Sequence, residues 1–182
     1  RRLSNPLKRA FATITTFVSS PTIRSMTTLT QSSSQALRQA ISDELGDLIA
    51  IRRDLHAHPE VGYEEHRTSE VVQRELAGAG VQFKAGLAGG TGVLAHVPAS
   101  NGNNARAIGL RADMDALPIL ETGDVPHRST IPGKMHACGH DGHTTILIGA
   151  ARVLAKLARA NGGLRRPVTF VFQPAEEGGA GA

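Results

Sequence analysis

Residues 106–119 read RAIGLRADMDALPI: a short apolar run that breaks into two aspartates, Asp113 and Asp115, just before Pro118. A β-like run that ends at once in carboxylates is the pattern of a strand opening on a crevice, where α/β proteins bring their ligands. Side chains alternate along a strand, so Asp113 and Asp115 are expected on one face. A loop that uses Asp only to turn would read the same from this stretch alone.

The neighbouring segments decide what kind of sheet the strand belongs to. On its N-terminal side, VQF (81–83) and TGVLAHV (91–97) are further β-like runs, punctuated by glycines and by NGNN (101–104). Before them come two helical patterns. Within residues 35–55, ALRQAISDELGDLIAIRRDL places Leu37, Ile41, Leu45, Leu48, Ile49 and Leu55 on one stripe, with Pro59 as its stop. The second, EEHRTSEVVQRELA (64–77), stops at Gly78 and Gly80. On the C-terminal side, HTTILIGAARVLAKLARA (143–160) reads as helix and PVTFVFQ (167–173) as strand. Helix, helix, strands, helix, strand predicts an α/β sandwich with a mixed sheet and no internal repeat.

Two more clusters fall at element ends. MHACGHDGH (135–143) packs three histidines, an aspartate and the only cysteine of the chain into nine positions. His136, Cys138 and His140 alternate by two, so an extended segment would project all three to one side. Cys, His and carboxylate are the ligands of a zinc-like metal. A Cys/His nucleophilic pair and a glycine-bearing loop with incidental histidines are the competing readings. The third cluster is FQPAEEGG (172–179), where a strand of alternating Val and Phe runs into Glu176 and Glu177. Adjacent side chains are expected to diverge, which suits one carboxylate for a metal and the other for a proton. A solvated acidic surface is the bland alternative. Three clusters at consecutive strand ends together read as a hydrolytic metal site of one or two ions. In LHAHPE (55–60), His56 and His58 also look like ligands, but their place beside Pro59 at a helix end favours a structural role.

Composition narrows the field. The 182 residues suffice for one domain with a core, and 40% hydrophobic with 20% charged residues is ordinary globular usage. Aromatics at 3% and no Trp argue against a base-stacking nucleic-acid platform. One Cys excludes an internal disulfide and a four-thiolate zinc module. No apolar run reaches the roughly 18 residues that a membrane span needs. The net charge of +4 belongs to the N-terminal segment: residues 1–42 hold six basic and no acidic residues, and the remainder holds 14 basic and 16 acidic. That Ser-, Thr- and Arg-rich, acid-free segment has the composition of an organellar transit peptide, mitochondrial or plastid, or of a disordered basic tail on a protein that is otherwise cytoplasmic. The chain begins with Arg, so the segment is expected to be incomplete at its start.

LHAHPEVGYEE, LRADMDALPI, MHACGHDGH and FQPAEEGG, in this order from about Leu37 to Ala182, resemble the amidohydrolase branch of the aminoacylase-related metallopeptidases, which includes hippurate hydrolases, N-acyl-amino-acid deacylases and auxin-conjugate hydrolases. The resemblance begins at about Leu37, which leaves residues 1–36 as the transit peptide or disordered tail that their composition suggests. It implies that 37–182 are the N-terminal part of a catalytic domain with a zinc-peptidase-like α/β/α sandwich. Cys138, His140 and Glu177 correspond to metal ligands, Glu176 to the general base, and Asp115 to the active-site aspartate that supports the metal centre. Asp113 stands where the wider superfamily often has a metal-binding histidine, and His136, Asp141 and His143 flank the site without a ligand role. The implied cofactor is a divalent metal, two ions of zinc, manganese or cobalt, with the thiolate favouring zinc or cobalt. The implied reaction is hydrolysis of the amide of a small N-acyl amino acid or conjugate, without nucleic acid or membrane as partner. Two further metal-binding histidines and a lid domain that mediates homodimers would follow beyond residue 182, so the 182-residue piece alone is expected to bind metal poorly and to be inactive.

Overall fold

The computed structural model describes residues 22–100 and 106–179, with side chains from residue 34 onward. The basic segment expected to carry a targeting signal lies, up to residue 21, outside the described residues. The chain divides into two units, Arg1–Ala36 and Leu37–Ala182, and the sheet and all three acidic or histidine-bearing clusters belong to the second.

Helix α1 (Thr22–Ala57) stops two residues before Pro59, as proline's restriction on its predecessor demands. Its inward face differs from the expected stripe. Leu37, Ile41, Leu45 and Ile49 are exposed by 40–52%, whereas Ala40, Ile51 and Leu55 are buried and Leu48 packs against the core. The helix carries apolar residues around much of its circumference, so periodicity does not choose the face. Gly149 of α3 (His140–Asn161) helps to choose it: a Cβ there would stand 2.7 Å from Leu48, so the missing side chain admits Leu48.

Helix α2 (His66–Gly78) buries Thr68, Ser69, Val71, Val72 and Leu76, the i, i+3, i+4 set of an amphipathic helix. Its first amides are capped from a distance: the Glu60 carboxylate accepts from the N–H of Arg67 at 3.0 Å and of Thr68 at 2.8 Å. Gly80, at φ 65°, reverses the chain after it.

Strands β1 (Gln82–Leu87), β2 (Gly92–Val97), β3 (Ile108–Asp113) and β4 (Val168–Gln173) form one mixed sheet in the order β1-β2-β4-β3. β2 pairs antiparallel with β1 and β4, and β3 runs parallel to β4. Alternation sends Val93, Ala95, Val97, Phe170 and Phe172 into the core with Leu55, Leu76, Ile148 and Ala151 from the three helices. Leu94 and His96 point the other way and are exposed, so among the described residues the long helices cover one face of the partial sandwich. No helix among the described residues is long and apolar enough to cross a membrane.

Candidate metal centre

The parallel pairing of β3 with β4 places Asp113 opposite Gln173, so both chains leave the sheet side by side. The amide of Met114 extends the ladder to the Gln173 carbonyl at 3.0 Å. The 135–143 segment is tied to the β3 exit by paired Leu117 and Met135 amides and carbonyls, each at 3.0 Å. It then bends at Gly139, whose φ of 89° suits glycine, into α3, where Thr144, one turn in, donates to the Asp113 carbonyl at 2.8 Å. Three excursions from the sheet thereby converge on His140.

His140 is buried (2% exposed) and its two nitrogens face different groups. Nδ1 donates to the backbone carbonyl of Asp115 at 2.9 Å and lies 3.2 Å from Asp115 Oδ1. With the proton on Nδ1, the lone pair sits on Nε2, which faces Asp113 Oδ1 at 3.6 Å, Glu176 Oε2 at 3.8 Å and Glu177 Oε1 at 3.8 Å. An imidazole held through one nitrogen with the other directed into an anionic cluster is the usual posture of a metal ligand. Asp115, 1% exposed, also accepts the amide N–H of Glu177 at 2.8 Å, so one carboxylate fixes both the histidine and the glutamate loop.

Cys138, His140 and Glu177 each offer a donor atom within 4.8 Å of the other two, and so do Asp113, His140 and His143. The first set combines thiol, imidazole and carboxylate, the donors of a borderline-soft divalent ion. In the second, His143 Nδ1 already bonds Asp113 Oδ1 at 2.7 Å, so these two satisfy each other. The residues present therefore fit a divalent metal. Glu176 and Glu177 do not diverge as adjacency suggested: both carboxylates reach toward His140 Nε2 from the short turn α4 (Glu176–Gly179), which follows Ala175 at φ 53°.

The electrostatics agree with a site short of positive charge. The Cys138 thiol, although exposed, is held above its ordinary pKa by its hydrogen bond to Glu177, then by partial loss of hydration and by the charges of Glu177, Glu176 and Asp113. Burial raises the Asp113 carboxyl, but the hydrogen bond from His143 and the proximity of His140 outweigh it and the pKa is lowered.

His136 does not join Cys138 and His140. It turns toward His56, with ring centroids 6.4 Å apart, and is buried at 4% exposure, while Cys138 is exposed. The segment is not a strand, so the two-residue alternation does not apply. Neither ring nitrogen of His136 has a hydrogen-bond partner among the described residues, and burial pushes its pKa down to about 4. His56 bonds Asp141 Oδ2 through Nδ1 at 2.6 Å and Glu121 Oε1 through Nε2 at 3.2 Å, with Arg52 Nε 3.1 Å from Asp141. His58 Nδ1 donates to the Asp54 carbonyl at 2.8 Å. Neither His56 nor His58 belongs to a metal-donor group among the described residues.

Sequence reasoning left Asp113 and His143 without roles and did not pair them; the i, i+3 spacing of His140 and His143 on one helix face was the available signal. Glu121 was missed, and no local pattern marks it. A cavity of about 490 Å³ opens beside Asp115 and Glu177, lined among others by Val61, Tyr63, Leu117 and Pro118.

Residues 109–182 match the model of Peptidase family M20/M25/M40. The chain is 52% identical over 135 residues to IAA-amino acid hydrolase ILR1-like 5 of Arabidopsis thaliana, covering 74% of this chain and 29% of that protein. It is 46% identical over 155 residues to IAA-amino acid hydrolase ILR1-like 4 of the same plant, covering 85% and 34%. The crystal structure of the Bacillus subtilis YXEP protein, a dinuclear metal binding peptidase from the M20 family, superposes with a TM-score of 0.65 at 39% identity, over 71% of this chain and 35% of that one. The chain thus spans about a third of the length of the curated relatives it matches.

Proposed function

We propose that this chain, whose residues 109–182 match the model of Peptidase family M20/M25/M40, belongs to that family and carries the metal-binding and proton-transfer groups of a hydrolase that cleaves the amide bond of N-acyl amino acids or similar conjugates. The observation that carries the reading is the posture of His140: Nδ1 is committed to Asp115 and Nε2 faces Asp113, Glu176 and Glu177.

Cys138, His140 and Glu177 would hold a divalent ion, zinc, manganese or cobalt, and the dinuclear B. subtilis structure supports a pair of ions. Such an ion, when bound, supplies Lewis acidity toward a carbonyl oxygen and a water. The chain's own residues supply the rest. Glu177, with a side chain 24% exposed, binds; Glu176, the more open at 41%, is free to take a proton from water and return it to the leaving amine. Asp115 keeps His140 in the Nδ1–H tautomer and anchors the Glu177 amide, so ligand and base keep their spacing. The apolar cavity beside Glu177 suits the acyl part of a conjugate. A cysteine-nucleophile mechanism is disfavoured, because the surrounding carboxylates raise the Cys138 pKa where a nucleophilic thiolate needs it lowered.

Glu176→Ala, in the protein expressed from its full reading frame, is the test. Hydrolysis of an N-acyl amino acid should fall by about 10²- to 10⁴-fold with metal content unchanged; full activity in that variant removes the assignment. The acid-free basic segment is read as an organellar targeting sequence, and residues 1–42 fused to a fluorescent protein should direct it to mitochondria or plastids. A diffuse cytosolic signal would discard that reading.

A further inference from the structure

Glu65 stands at the N-cap of α2, where a polar side chain ordinarily folds back onto its own helix. It makes no such bond, because Glu60 caps the helix instead. The Glu65 carboxyl turns inward to complete burial (0% exposed), a costly position for a group of this kind unless its oxygens are satisfied. Both are: Oε1 accepts the backbone N–H of Ala175 at 2.8 Å, and Oε2 accepts the hydroxyl of Thr91 at 2.8 Å.

Ala175 lies 110 positions downstream, immediately before Glu176. Its φ of 53° is a left-handed conformation that residues with a Cβ avoid unless their surroundings hold them there. Gly62 closes on it from another side, where an added Cβ would lie 3.0 Å from Ala175 Cα and Cβ. The glutamate loop is therefore pinned at two amides, Ala175 by Glu65 and Glu177 by Asp115, with Glu176 between them.

We infer that Glu65 is a positioning residue for Glu176: by holding the Ala175 amide it fixes the peptide that aims the Glu176 carboxylate. The inference rests on the proposed function only for the role of Glu176. Loss of the Glu65 bond leaves Glu177 anchored through Asp115, so the defect falls on proton transfer rather than on metal retention.

The test compares variants of the protein expressed from its full reading frame and loaded with metal. Glu65→Leu should lower kcat about 100-fold, the scale of a reacting group displaced by about 1 Å, with KM and metal content unchanged. Glu65→Gln should restore kcat to near wild type, since its amide oxygen still accepts from Ala175 while its NH₂ group faces a hydroxyl that also accepts. Thr91→Val should lower Tm but leave kcat near wild type, since the Ala175 bond remains. Hydrogen exchange at the residue 175 amide reads the bond without reference to activity: it should stay slow in wild type, Glu65→Gln and Thr91→Val, and become fast in Glu65→Leu. Should Glu65→Leu fail to fold, Glu65→Asp, shortened by one methylene, is expected to show the same kcat loss at unchanged KM. Wild-type kcat in a folded Glu65→Leu or Glu65→Asp variant, slow residue 175 exchange in Glu65→Leu, or an equal kcat loss in Thr91→Val overturns the inference. A wild type without amidase activity overturns the functional reading instead, and the exchange measurement still decides this one.

Discussion

His136 and His140 lie in one nine-residue stretch and are both almost fully buried, yet they are equipped for opposite tasks. His140 has a carbonyl and a carboxylate on Nδ1 and three carboxylates before Nε2. His136 has no hydrogen-bond partner on either nitrogen among the described residues, and burial lowers its pKa to about 4. Burial and residue type do not separate the two; the groups that face each nitrogen do. The bend at Gly139, φ 89°, sends one histidine to the glutamate loop while the other packs toward His56.

Exchanging the two histidines in turn gives the largest contrast. His140→Ala should weaken metal affinity by well over about 100-fold, beyond the loss expected for an outer partner, whereas His136→Phe should retain metal. Equal metal loss in both variants, measured by equilibrium dialysis, would erase the distinction. Asp115→Asn tests the partner that sets His140 apart. It keeps the backbone carbonyl on Nδ1 but removes the charge, and should cost about 10- to 100-fold in metal affinity. An unchanged affinity would mean that the carboxylate contributes nothing to the ligand's posture.

The same contrast has a pH signature in the metal-free protein. The folded pKa of His136, about 4, lies below its ordinary 6.5, so between these values the unfolded chain binds more protons than the folded one. The His136 contribution to stability is complete above about pH 6.5 and is lost as pH falls toward about 4. His136→Phe should flatten the urea-denaturation midpoint across that window; an unaltered slope would refute neutral burial. The smallest effect is expected at His143, whose side chain is 54% exposed. His143→Ala should lower stability by less than about 1 kcal/mol and change metal affinity by less than tenfold. A greater affinity loss would shift the metal toward the Asp113, His140 and His143 set.

Much of the fold was legible because its signals are local. The strand read at 106–113 is Ile108–Asp113 and that read at 167–173 is Val168–Gln173; the first ends in Asp113 and the second leads through Pro174 and Ala175 to Glu176 and Glu177, the acidic residues that face His140. The helix after MHACGHDGH begins three residues earlier than periodicity suggested, which puts His140 in its first turn. The buried face of α1 was not legible: Leu37, Ile41, Leu45 and Ile49 make as good a stripe as the residues that enter the core, and a contact with Gly149, 101 positions from Leu48, helps to choose between them. Nor was the fate of His136, since alternation holds in a strand and fails across a glycine turn. The Glu65 to Ala175 bond joins segments 110 positions apart and leaves no trace in the periodicity of either.

Whether Cys138, His140 and Glu177 form one metal-donor set is read most directly by titrating the metal-free protein with cobalt(II). Absorption reports the thiolate itself, through its sulfur-to-cobalt charge-transfer band. Wild type should show that band at saturation, and Cys138→Ala should lose it and bind cobalt more weakly. A Cys138→Ala spectrum and affinity the same as wild type would place the metal elsewhere and contradict the assignment.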